Sequence, residues 1–156
     1  MRAKLDKILE WALAILLGSM TIVVLWGVLT RYAMGSQSSW TDELARFFLI
    51  WVGILGAAYA SGRNMHIAID LLPQYLNKKN QRRLEIFIAI VVVLFVTAVF
   101  IVGGIRYVYI SFKLGQASAA LDISMGYIYL IFPVAGVCII YYRLNDLFRY
   151  LTTTNQ

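Results

Sequence analysis

Three stretches of this chain carry no charged residue: Trp11 to Thr30, Ile86 to Ile105 and Ile123 to Tyr142. Each runs for about 20 residues, or about 30 Å as a helix, which is enough to cross a bilayer. A fourth apolar run, Phe47 to Gly62, is shorter. It reaches spanning length if its helix begins at Trp40 and lifts Asp42, Glu43 and Arg46 into the headgroup layer. The pattern predicts an all-α integral membrane protein whose four transmembrane helices occupy about 8–33, 40–62, 83–112 and 123–150, in a single domain over 1–156. Between helices two and three, Ile67, Leu71, Leu72, Tyr75 and Leu76 recur at helical spacing with Pro73 interrupting them. That spacing predicts a short amphipathic arm lying in the interface over about 66–77.

Punctuation along the chain refines these elements. Gly35 to Ser39 marks a short turn, after which Ser39 is placed to cap helix two and Asp42 lies in its first turn. Pro133 cannot donate to the carbonyl of Tyr129, which predicts a kink near the middle of helix four. The loop from Lys113 to Asp122 is small and polar. Tyr32, Tyr107, Tyr109, Tyr127, Tyr141, Tyr142 and Tyr150 all fall near predicted helix ends, where an apolar ring with a polar tip suits the membrane interface. The first apolar run follows Arg2, Lys4 and Lys7 but is too long for a signal peptide's core, so it is expected to stay as an anchor.

Composition agrees with a membrane protein: 61% of the 156 residues are hydrophobic and 14% charged, and the mean hydropathy is +0.74. With the N-terminus in the cytoplasm, ten basic residues fall on that side: Arg2, Lys4, Lys7, Arg63, Lys78, Lys79, Arg82, Arg83, Arg143 and Arg149. Four, Arg31, Arg46, Arg106 and Lys113, fall on the other. The asymmetry predicts that both termini are cytoplasmic. A net charge of +6 then faces an anionic lipid surface and requires no nucleic-acid partner.

Candidate chemistry is sparse. A haem site needs histidines on facing helices, and the chain holds one histidine, His66. His66 and Asp70 stand one helical turn apart but supply only two metal ligands. Every acid falls at a predicted helix end or in a loop, where it cannot relay protons through the bilayer. The single Cys138 cannot form a disulfide within the chain and suits a small packing role. These absences predict a protein that is not an enzyme and holds no cofactor or metal of its own. Asp42 and Glu43 precede Arg46 by four and three residues, so they pair with it on one helix face or engage another subunit. Gly53, Gly56, Ala57 and Ala60 form a strip of small residues that admits a close helix, from this chain or from a partner.

The ordered set Trp40, Asp42, Glu43, Arg46, Trp51, Gly53, Gly56, Ala57, Ala58, His66, Ile67 and Asp70 resembles the small membrane subunit, the Q subunit, of tripartite ATP-independent periplasmic (TRAP) transporters. The four-helix plan and the length are similar as well. The resemblance implies a bacterial inner-membrane protein that works with a large membrane subunit of the M type and a periplasmic substrate-binding protein. It implies sodium-driven uptake of an organic acid, such as a C4-dicarboxylate or a sialic acid, with the sodium sites in the large subunit. This chain would be a scaffold among membrane lipids, with the segments around Gly35 to Trp40 and Lys113 to Asp122 helping to dock the binding protein and Arg31 and Lys113 meeting its acidic patches. The alternative is a small four-helix membrane protein that associates with itself through the Gly53 to Ala60 strip.

Overall fold

A computed structural model describes residues 2–36, 38–63 and 78–152, the side chains of 78–82 and 148–152 excepted. The arm expected over about 66–77, including His66 and Asp70, lies outside the described residues. Those described are all-helical: α1 (Arg2–Ala33), α2 (Ser39–Gly62), α3 (Lys78–Val96), a π-helical segment (Thr97–Gly103), α4 (Gly104–Lys113), α5 (Met125–Tyr129) and α6 (Ile131–Thr152). Four spans are long and apolar enough to cross a membrane: Arg2–Ala33, Ser39–Gly62, Arg83–Lys113 and Met125–Leu147.

The first helix starts six residues earlier than the charge pattern suggests. Lys4 and Lys7 oppose the positive end of a helix dipole, but Arg2 and Asp6 hold the first turn through side-chain bonds to distant helices. Leu5, Leu9, Leu13 and Leu16, spaced four, four and three apart, form the stripe of α1 that meets α2. Leu9 and Leu55 share a core with Ile131 and Tyr142. A second core joins Ala58 to Val96, Ala135 and Ile139, with the half-buried Cys138 against it. In space, α2 and α6 are therefore central, while α1 packs on α2 from outside and the third helix packs on α6.

Helix two begins at Ser39, so its N-cap lies one residue before the capping position read from sequence. Ser38 is its N-cap, with extended backbone (ψ 116°) and no side-chain cap bond. The turn is closed instead by Thr41, whose amide and hydroxyl donate to the Ser38 carbonyl at 3.1 and 2.6 Å.

Pro133 acts earlier in its helix than expected. The fourth span begins at Met125, so the break falls at Leu130, near the start, where α5 gives way to α6. The third helix answers with its π-helical widening. Gly104 is buried there, and a Cβ on it would lie 3.0 Å from Cβ of Phe132 and 3.1 Å from Cδ of Pro133. Glycine admits that approach without displacing either neighbour, and the adjacent Gly103 weakens the regular α-turn as well.

Candidate functional site

The polar groups that join helices at the two ends of the bundle are the candidates, together with the apolar faces between them. At the end carrying Ser39 and the 114–124 loop, Glu43 reaches from the first turns of α2 to that loop. Its carboxylate accepts the backbone amides of Ala119, Ala120 and Leu121 at 3.0, 2.7 and 3.2 Å. Sequence spacing pairs Glu43 with Arg46, but its carboxylate is held by loop amides, since three converging N–H groups outcompete one flexible guanidinium at the surface. Asp42 and Arg46 are exposed on the same turns, and Trp40 is 36% exposed beside them. A cavity of about 80 Å³ opens between Arg31 of α1 and Thr41 and Asp42 of α2. Further along α2, the Trp51 indole donates to the Ile128 carbonyl of α5 at 3.1 Å. Trp51 also lines an apolar cavity of about 190 Å³ with Leu16, Phe47 and Ile123.

The small-residue strip faces outward. A Cβ built on Gly53 or Gly56 meets nothing within 4 Å, and Gly53 and Ala57 are exposed while Gly56 and Ala60 are half-buried. Along the same stretch of α2, the residues buried within this chain are Leu55, Ala58, Ser61 and Gly62, one step around the helix. Among the described residues, therefore, no helix of this chain covers Gly53. Helix α1 likewise turns outward Trp11 (63% exposed), Ile22 (69%) and Leu29 (61%).

The opposite end holds a polar knot that the charge pattern does not reveal. Arg2 donates to Oδ1 of Asp146 at 2.5 Å and to the Gly62 carbonyl, so one guanidinium joins α1, α2 and α6. The Tyr142 hydroxyl donates to Asp6 at 2.5 Å, and Arg2 lies over the Tyr142 ring. Tyr142 corrects the reading of the tyrosines as interface anchors: its side chain is fully buried, because its ring fills the space against Gly62. Tyr32, Tyr107, Tyr109 and Tyr127 are exposed near helix ends. The isolated acids Asp6 and Asp146 among basic flanks were the available signal for the knot, since an acid kept there needs a partner. A looser pair, Arg63 with Glu10 at 4.0 Å, sits exposed beside it.

Among the described residues no group of three or more His, Cys, Asp or Glu converges on a metal-sized site.

Comparison with known proteins identifies the architecture. Residues 20–153 match the family model described as tripartite ATP-independent periplasmic transporters, DctQ component. The sialic acid TRAP transporter small permease protein SiaQ of Vibrio cholerae is 25% identical over 154 residues, covering 96% of this chain and 84% of that protein. The C4-dicarboxylate TRAP transporter small permease protein DctQ of the same organism is 26% identical over 102 residues, 65% of this chain and 44% of that protein. The sialic acid TRAP transporter permease protein SiaT of Haemophilus influenzae is 26% identical over 146 residues, which are 88% of this chain but 22% of that much longer permease. This chain belongs to the DctQ component family of TRAP transporters and is a multi-pass small permease subunit of a transporter, not an enzyme.

Proposed function

We propose that this subunit braces a large transport subunit and helps dock a periplasmic substrate-binding protein during sodium-driven uptake of an organic acid, a sialic acid or a C4-dicarboxylate. One observation carries the proposal: polar side chains tie the helices together at both ends of the bundle while the faces between the ends stay apolar and open. Arg2 joins three helices at one end and Glu43 joins α2 to the 114–124 loop at the other. The Arg2 knot makes a body that resists deformation, as a scaffold must while its partner moves, and the Glu43 tie orders the loop rather than that body. The outward strip at Gly53 and Ala57 suits close approach of a partner helix. The long relative of which this chain matches 22% supports a large permease as that partner, and the sodium sites belong in it. The excess of Lys and Arg on the side of the termini, ten against four, supports placement in a bacterial inner membrane with both termini and the knot on the cytoplasmic face. Lipids fill whatever apolar surface the partner leaves open.

The test is to co-express the chain with a candidate large permease and reconstitute them together and apart. Joint purification, with uptake requiring both chains, the binding protein and a sodium gradient, is expected. Robust uptake by this chain alone overturns the scaffold role. Recovery only as a homodimer, cross-linked from Gly53→Cys, supports self-association in its place.

A further inference from the structure

Residues 114–124 connect α4 to α5 and close on themselves at the base. The amide of Gln116 donates to Ser111 (3.1 Å), that of Ser118 to Ile123 (2.9 Å) and that of Met125 to Gln116 (2.8 Å). The tip is different. Its amides at Ala119, Ala120 and Leu121 point at the Glu43 carboxylate of another helix, at 3.0, 2.7 and 3.2 Å. The Ser118 hydroxyl adds a second acceptor for Leu121 at 3.2 Å. Glu43 is thus the long-range tether of the tip, and bonds of amides to a carboxylate are stronger than neutral ones.

The surface that the tip presents is unusual for a bundle otherwise faced with large apolar side chains. Ala117, Ala119 and Ala120 are exposed, flanked by exposed Gln116 and Asp122, and Asp122 holds a left-handed backbone (φ 53°). Alanine has no rotamers to lose on contact. Once the backbone is held, a partner meets a small, polar-edged, pre-ordered patch, and preorganisation lowers the ordering cost of association. Modest polar patches of this kind suit transient contact with a soluble protein, whereas a lipid-buried helix would be met by the apolar faces of α1 and α2.

We propose that Glu43 is a positioning residue: by holding the 118–122 tip it shapes the contact surface for the soluble substrate-binding protein, and its loss weakens capture of that protein without slowing translocation. This rests on the functional proposal above, which places the loop on the binding-protein side. The experiment titrates substrate-loaded binding protein against the reconstituted complex carrying Glu43→Gln or Glu43→Ala, and follows hydrogen exchange of the 119–121 amides in the same complexes. Glu43→Ala is expected to raise the half-saturating binding-protein concentration about tenfold. Glu43→Gln, which keeps the shape and one acceptor, falls between it and the wild type. Maximal uptake and the yield of assembled complex stay near wild type, and the 119–121 amides exchange faster in both variants. A fall in maximal uptake at unchanged half-saturation overturns the proposal, as does faster exchange with unchanged capture. So does unchanged exchange in Glu43→Ala. A wild-type complex whose uptake ignores the binding protein overturns the functional proposal itself, and that result is read before any variant is made.

Discussion

Gly62→Ala offers a sharp test of the packing at the knot. A Cβ at this position would sit 2.6 Å from Cζ of Tyr142 and 2.8 Å from both Cε atoms, a separation that non-bonded carbons do not tolerate. Neither side can yield cheaply. Tyr142 is fully buried with its hydroxyl held by Asp6, and the Gly62 carbonyl is held by Arg2. Overpacking in such a place costs about 1–3 kcal/mol, opposed by the backbone entropy that alanine removes from the unfolded chain, about 0.4–1 kcal/mol. The midpoints of these two ranges leave a net loss of about 1.3 kcal/mol. In a Tyr142→Leu background, which deletes the three clashing ring atoms, the same substitution is expected to be neutral or slightly stabilising. The coupling between the two positions is then about 2 kcal/mol, within the range for residues in contact. Reversible unfolding in mixed micelles, followed through the four tryptophans, measures all four corners of the cycle. A Gly62→Ala cost that persists undiminished in the Tyr142→Leu background would refute the steric explanation.

Other expectations can be checked in the same system. Arg2→Ala strands the carboxylate of Asp146, 7% exposed, and is expected to cost several kcal/mol, in the range of about 3–5 for a broken buried pair; Arg63→Ala, whose 4.0 Å pair with Glu10 is exposed, should cost at most about 1 kcal/mol. Equal losses for the two would contradict the burial argument. Trp51→Phe removes the 3.1 Å bond to the Ile128 carbonyl and should lower stability by about 1 kcal/mol, read from the unfolding midpoint. For orientation, Gln116→Cys in a Cys138→Ala background should react with a membrane-impermeant maleimide from the periplasmic side of intact cells; labelling only after the membrane is opened would invert the proposed topology. Arg46→Ala is expected to reduce assembly or uptake more than Lys79→Ala, and equal uptake for both would remove Arg46 from the partner surface.

The hydrophobic pattern carried the coarse architecture because lipid imposes a simple rule: a spanning segment needs about 20 apolar residues and must satisfy its own backbone. Four helices follow from that rule alone; the missing amide of Pro133 predicts a break, but the structure places it near the start of the helix and not near its middle. The family resemblance too was visible in the order from Trp40 to Asp70, although that order does not say what each residue touches. Glu43 shows why. Local spacing offers Arg46 as its partner, yet the amides that hold it lie 76 to 78 residues away in sequence, and no periodicity reports a contact of that range. Arg2, Asp6, Tyr142 and Asp146 behave in the same way: as sequence they are terminal charges and an interface tyrosine, and only the convergence of α1, α2 and α6 makes them one buried knot. The small strip of α2 was legible as a strip, whereas its outward direction depended on which side of α2 the neighbouring helices occupy. Sequence by itself thus determined which segments enter the membrane, a matter of solvation counted residue by residue. Tertiary structure alone decided which polar groups meet at the ends of the bundle and which face stays open, because those depend on how helices distant in the chain pack side by side.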